Sequence, residues 1–164
     1  MALIHEKLYR SENLSEVNFP DYVDSLTSYM MSTVSGNRER VNIRREIDPI
    51  NLGVDVAIPC GLIINELVTN SLKYAFPDGR RGEITIRCRK SMNATLILEV
   101  ADDGIGIPDV VDIQNSGTLG MQLVHGLIGQ LDGTIKIERE RGTSFILEFA
   151  ASRREEKERQ LVSA

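Results

Sequence analysis

A long helix with two unlike faces is the feature that most limits what this chain can fold into. From Val56 to Ala75 the apolar residues recur at helical spacing, and the turn Pro77-Asp78-Gly79 stops the run. At about 100° per residue, one side of this helix is apolar and needs another surface to cover. The residues on that side are Ile64, Leu67, Val68, Leu72 and Ala75.

The segments around this helix alternate between apolar and polar residues, as half-buried strands do. Strands are predicted at 41–47, 84–88, 96–100, 135–140 and 143–149, and further helices at 1–10, 21–34 and 119–131. Strands in hairpin-type succession together with a few helices predict one mixed sheet covered by helices on one face. The expected fold class is therefore an α+β sandwich.

The overall charge and the cysteines exclude several classes of function. The 164 residues carry a net charge of −5, with a pI near 5.1, whereas a nucleic-acid partner requires a basic face. No stretch reaches the roughly 20 apolar residues of a membrane span, so no direct membrane contact is expected. Cys60 and Cys88 stand among apolar residues and are predicted to be buried free thiols, which favours a cytoplasmic location.

Three polar residues share one narrow stripe on the other side of the long helix. If Glu66 is placed at zero on the helical wheel, Asn70 falls near ~40° and Lys73 near ~340°. An acid, an amide and an amine are thereby presented together. The alternative interpretation is an ordinary solvated face, where Glu and Lys are common at this spacing.

An acid and alternating glycines follow the apolar strand at 96–100. Asp102 begins the run Asp-Asp-Gly-Ile-Gly-Ile-Pro, which contains Gly104 and Gly106. A carboxylate at a strand end accepts a hydrogen bond from the exocyclic amine of adenine, whereas guanine presents an oxygen there. Glycines let the backbone lie against a base or a sugar. The alternative is a plain Asp-Gly turn.

Two further glycine segments occur later in the chain. Ser116-Gly117-Thr118-Leu119-Gly120 opens a helix, and free N–H groups at a helix start suit phosphate oxygens. An ordinary glycine-containing helix start is the alternative, and the segment is not a Walker A loop, because no Gly-Lys-Ser/Thr follows. Gly142-Thr143-Ser144-Phe145 joins the last two strands, and by itself a hairpin turn explains it.

In this order the four segments resemble the N, G1, G2 and G3 boxes of the gyrase, Hsp90, histidine kinase and MutL ATPase superfamily. Asn-Glu-Leu-Val-Thr-Asn-Ser-Leu-Lys-Tyr-Ala-Phe, residues 65–76, is similar to the N box of sensor histidine kinases, particularly the class related to the HWE kinases. Residues 4–11 resemble the end of that class's dimerisation hairpin. The resemblance covers about residues 1–150 and implies a Bergerat fold, with ATP and Mg²⁺ as cofactors.

Carried over by position, the resemblance implies a role for each matching residue. Asn70 would be the Mg²⁺ ligand, Lys73 would contact the phosphates, and Glu66 would orient or deprotonate the attacking group. Asp102 would bind the adenine amine. The other expected nucleotide-binding residues are Tyr74, Gly104, Gly106, Ile107, Gly117, Leu119, Gly120 and Thr143.

The resemblance also implies how the chain is divided and where its phosphoacceptor lies. Residues 1–18 would end the dimerisation and phosphoacceptor hairpin, 19–152 would form the ATP-binding catalytic domain, and 153–164 a charged tail. His5 precedes a glutamate, as phosphoacceptor histidines do, but only four residues come before it, so the acceptor is expected on a dimerisation domain largely missing from this chain. His125 is interpreted as structural.

The expected function is thus the catalytic domain of a two-component sensor histidine kinase, with a dimerisation domain and a downstream response regulator as partners. Three alternatives stay open. One is an ATPase of the same superfamily in which Glu66 activates water; the second is a nucleotide sensor that binds without transfer. The third is a serine-phosphorylating anti-sigma factor.

Overall fold

The structure is a computed structural model that describes residues 16–33, 40–108 and 118–152. The predictions for the helix at 1–10, for Gly117 and for the charged tail lie outside the described residues. Within them, three helices, seven strands and one short 3₁₀ turn follow one another along the chain. They are β1 (Glu16–Asn18), α1 (Phe19–Thr33), β2 (Val41–Ile47), β3 (Asn51–Gly53), α2 (Val54–Tyr74), a 3₁₀ turn (Pro77–Gly79), β4 (Gly82–Lys90), β5 (Thr95–Asp102), α3 (Leu119–Gln130), β6 (Thr134–Glu138) and β7 (Thr143–Ala150).

Five of the strands form one mixed sheet in the order β2-β4-β5-β7-β6. The pair β2–β4 is parallel, while β4–β5, β5–β7 and β6–β7 are antiparallel. All five strands predicted from alternation belong to this sheet. The largest departure in their bounds is at β4, which was predicted at 84–88 and spans Gly82–Lys90, two residues more at each end.

The two faces of the sheet differ in the way that the alternation predicts. On one face Ile84, Ile86, Leu98 and Leu147 are less than 1% exposed and pack in the same core as the apolar side of α2. The other face carries charged residues, among which Arg87 pairs with Glu46 and Glu99 at 2.7 and 3.1 Å. The helices therefore cover a single face of the sheet, and the predicted α+β sandwich is confirmed.

A two-stranded ribbon outside the main sheet was not predicted. Val17 of β1 pairs with Leu52 of β3, and the amide of Phe19 donates to the carbonyl of Ile50 at 2.9 Å. Each strand has only three residues, which is too short for an alternating pattern to be recognised. The ribbon joins the start of α1 to the start of α2.

The two cysteines lie in the core, and the prediction of free buried thiols is confirmed. Burial raises the pKa of Cys60 well above its usual range and raises that of Cys88 to about 12. Among the described helices, none is long and apolar enough to cross a membrane.

Glycine is required in α2 where this helix meets α1, and a matched pair of substitutions tests the contact. A Cβ on Gly61 would overlap the buried ring of Tyr22, with 2.6 Å to Cζ, whereas a Cβ on Gly126 of α3 has no atom within 4 Å. We expect Gly61→Ala to lower the free energy of unfolding by about 1–3 kcal/mol because of overpacking. Gly126→Ala should raise it by about 0.5–1 kcal/mol, because alanine favours the helix.

Urea unfolding of the two variants beside the unmodified chain measures both changes. An unchanged or raised free energy of unfolding in Gly61→Ala would contradict the packing of α1 on α2.

Candidate functional site

The polar side of helix α2 carries the three side chains that the wheel predicts to lie together. Glu66 and Asn70 are half-buried and Lys73 is exposed, whereas Leu67 and Val68 on the other side are buried. Across the parts of the chain that the structure describes, no hydrogen bond or ion pair engages the three polar side chains. They are therefore available to a ligand.

Asp102 ends strand β5 directly beneath the last turns of α2. Its side chain is buried, with 7% of the residue exposed. The hydroxyl of Ser71 donates to Oδ2 at 2.7 Å, and the amide of Gly104 donates to Oδ1 at 3.1 Å. A carboxylate offers about four lone-pair positions, so two donors leave acceptor capacity for a further N–H group. The carboxylate is thus fixed in place and can still accept a hydrogen bond.

The loop after Asp102 packs against the end of α2. The amide of Ile105 donates to the carbonyl of Ala75 at 3.0 Å, and a Cβ on Gly104 would overlap that same residue. Gly106 has φ +75°, a backbone conformation that favours glycine, and Ile107 packs partly buried against the core. Both predicted glycines are therefore needed for the loop to lie this close to the helix.

The turn between β6 and β7 is brought alongside this loop. Thr143 is the cross-strand partner of Asp102 and is 4% exposed, so the two side chains share the covered face of the sheet. Gly142 has φ +81°, and a Cβ there would overlap the carbonyl of Asp102. Arg139 donates to the carbonyl of Pro108 at 3.1 Å. Within a segment that a hairpin turn explains from the sequence, Gly142 and Thr143 thus lie against Asp102.

The start of helix α3 meets the polar side of α2. A Cβ on Gly120 would come within 2.8 Å of Oε2 of Glu66. Thr118, the N-cap of α3, makes no side-chain capping hydrogen bond, so its own hydroxyl does not occupy the first amides of the helix. Leu119 is 83% exposed and Tyr74 is 69% exposed, so both side chains lie mainly in solvent.

The geometry brings together six of the residues that the sequence predicted, from four separate segments. Asp102, Gly104, Gly106 and Thr143 meet under the end of α2, and Gly120 lies beside Glu66 on its polar side. Sequence reasoning missed Ser71, which lies on the apolar side of the wheel near ~140°. A lone hydroxyl among apolar residues was the available signal, because a buried polar group needs a partner.

An acid fixed at a strand end beneath a helix, with glycine loops beside it, defines a nucleotide-binding α+β domain. Residues 55–153 match the family of histidine kinase-, DNA gyrase B-, and HSP90-like ATPases, which is well over half of the chain, and the chain therefore belongs to this family. Residues 1–34 match a second family, described as histidine kinase.

Two curated relatives and one solved structure are similar to this chain. The sensor histidine kinase PdtaS of Mycobacterium tuberculosis is 34% identical over 158 residues, which is 94% of this chain and 31% of that protein. Blue-light-activated histidine kinase 2 of Erythrobacter litoralis is 31% identical over 102 residues, or 62% of this chain and 30% of that protein. This chain thus spans about a third of the length of these relatives.

The solved structure supports the fold. The histidine kinase domain of a blue-light-activated histidine kinase from Erythrobacter litoralis superposes with a TM-score of 0.81 at 24% identity. The superposition covers 93% of this chain and 77% of that one. The Bergerat fold implied by the resemblance is confirmed.

Proposed function

We propose that this chain is the ATP-binding catalytic domain of a two-component sensor histidine kinase. It would transfer the γ-phosphate of ATP to a histidine on a dimerisation domain. The observation that supports the proposal best is the position of Asp102, which is held by Ser71 and Gly104 directly under the helix whose polar side carries Asn70. The carboxylate that would bind the purine lies at the end of a strand, and the polar groups that would face the phosphates lie on the helix directly above it.

On the purine side, Asp102 accepts the exocyclic amine of adenine. Thr143 stands across the strand pair from it, and Gly104 and Gly106 allow the backbone to lie against the base. Ile107 packs the loop onto the core. This division of roles selects adenine, because a 6-oxo purine would place an acceptor against an acceptor.

On the phosphate side, Lys73 contacts phosphate oxygens, and the first amides of α3 at Leu119 and Gly120 donate to them. Gly117 and Tyr74 complete the expected set of nucleotide-binding residues. Glu66 lies next to the start of α3, where its carboxylate orients the attacking imidazole or takes its proton. Phosphoryl transfer needs mainly positioning and charge neutralisation, so these groups suffice without covalent chemistry from the protein.

Asn70 is the residue that would hold magnesium. Its amide oxygen is the type of hard ligand that Mg²⁺ accepts, and Mg²⁺ usually keeps waters and shares substrate phosphate oxygens. In the described parts of the chain, no group of three or more His, Cys, Asp or Glu residues is placed to hold a metal ion. One amide oxygen together with waters and nucleotide oxygens suits such an ion, which when bound would supply positive charge to neutralise the phosphates.

The proposal extends to the rest of the kinase. Residues 1–18 would end the dimerisation and phosphoacceptor hairpin, 19–152 would form the catalytic domain and 153–164 a charged tail. The partners would be the dimerisation domain and a response regulator, in the cytoplasm, without nucleic acid.

Supplying γ-labelled ATP and Mg²⁺ to the chain, together with a separately produced dimerisation domain, tests the function. We expect label on the acceptor that is stable to base and labile to acid, as a phosphorylated histidine is. An acceptor in which the histidine is replaced by glutamine should stay unlabelled. Free phosphate alone would indicate a hydrolase, label on serine a serine kinase, and binding without either a nucleotide sensor.

A further inference from the structure

Ser71 makes a contact that its position in a helix does not require. It lies on the buried side of α2 and is 8% exposed. A buried helical hydroxyl ordinarily donates to a carbonyl one turn earlier, as Thr27 of α1 donates to Val23 at 2.8 Å. Ser71 instead donates across to Oδ2 of Asp102 on β5, at 2.7 Å. A serine has one hydrogen to donate, and here that hydrogen goes to the carboxylate.

The two donors to Asp102 come from different elements and hold its two oxygens separately. Ser71 of α2 occupies Oδ2, and the amide of Gly104 in the following loop occupies Oδ1. Rotation of the carboxylate about its own axis would break both hydrogen bonds. The acceptor is thus oriented before any ligand arrives, which reduces the entropy lost on binding.

We propose that Ser71 is a positioning residue for purine recognition, whose hydroxyl holds Asp102 so that the site prefers a purine with an amino group at C6 over one with a carbonyl there. The inference rests on the proposed function and deepens it, since it adds a residue that holds the purine acceptor Asp102 in place. Ser71 follows Asn70 directly, and consecutive residues of a helix point about 100° apart. Asn70 can therefore face the metal while Ser71 faces Asp102 and the purine.

Binding of ADP and of IDP, which differ at C6, tests the role by isothermal titration of the whole chain. Without the hydroxyl the carboxylate loses one of the two hydrogen bonds that orient it, and a less oriented acceptor binds its ligand more weakly. We therefore expect Ser71→Ala to weaken the binding of ADP about tenfold and the binding of IDP less than about twofold. The ratio of the two affinities, the ADP:IDP preference, then falls. The ratio of ADP affinities with Mg²⁺ and with EDTA should not change. Ser71→Thr retains a hydroxyl and should keep most of the preference.

Ser144→Ala is the matched control. Ser144 also donates to a carboxylate, that of Glu99 at 2.9 Å, but on the uncovered face of the sheet. Loss of the Ser144 hydroxyl should leave the affinities for ADP and for IDP unchanged. An unaltered ADP:IDP preference in folded Ser71→Ala would overturn the role of Ser71 and leave the proposed function standing. Failure of the unmodified chain to bind ADP would overturn the proposed function, and this inference with it.

Discussion

Asn70→Ala is expected to lower magnesium-dependent phosphotransfer about 100-fold or more, which corresponds to about 2.7 kcal/mol in the activation free energy. Asn70 is half-buried on the polar side of α2, and no partner in the described residues engages its side chain. Alanine removes the one amide oxygen proposed as the protein ligand of Mg²⁺ and favours the helix, so the fold should be kept. The readout is the transfer rate together with the ADP affinity measured with Mg²⁺ and with EDTA.

Asn65→Ala is the matched control for this substitution. Asn65 lies on the same helix, about 100° from Glu66 and away from the stripe, so its loss tests for general effects on α2. The affinity gained on adding Mg²⁺ should disappear in Asn70→Ala and persist in Asn65→Ala. A normal transfer rate in Asn70→Ala would show that the metal is held elsewhere.

Asp102→Asn is expected to weaken the binding of ADP about 30- to 100-fold and to weaken the binding of GDP far less. The carboxylate already accepts hydrogens from Ser71 and Gly104, and the adenine amine would add a third. An amide replaces one acceptor oxygen with a donor NH₂, so one of the three N–H or O–H groups loses its acceptor. A buried polar group without a hydrogen-bond partner costs about 1–3 kcal/mol. The adenine amine is the donor that can leave the site, so the hydrogen bond to the ligand is the one that is lost.

Asp103→Asn makes the same chemical change one residue later. Asp103 is exposed and its Oδ1 accepts the amide of Glu83 at 2.8 Å, a bond that an asparagine oxygen can still accept. This variant should bind ADP and GDP as the unmodified chain does. Equal losses for ADP and GDP in Asp102→Asn would contradict the role of Asp102 in choosing the base.

Much of the fold follows from short-range patterns in the chain. Alternation predicted the strand 41–47 and placed Ile84 and Leu98 on a buried face, because residues two apart share one face of a strand. The helical wheel separated Glu66 from Leu67 for the corresponding reason. The ribbon of β1 with β3 could not be predicted in this way. Three-residue strands are too short to show an alternating pattern, and their pairing joins parts of the chain that are distant in sequence.

The site was predicted less completely than the fold. Asp102 and Gly104 were predicted from local spacing, and both meet under α2. Ser71 was missed because its polar partner is 31 residues away, on another element. Gly142 was explained by a hairpin turn alone, although it lies against the carbonyl of Asp102.

The sequence by itself determined which faces of the long helix and of the long strands are buried, where these elements lie, and which residue types are present for a nucleotide. These properties depend on periodicity and on local backbone chemistry, which neighbouring residues share. Only the tertiary structure decided that Ser71, Asp102, Gly104 and Thr143 form one site. Their contacts depend on how α2 lies across the sheet and on the pairing of β5 with β7, and packing between distant segments sets both.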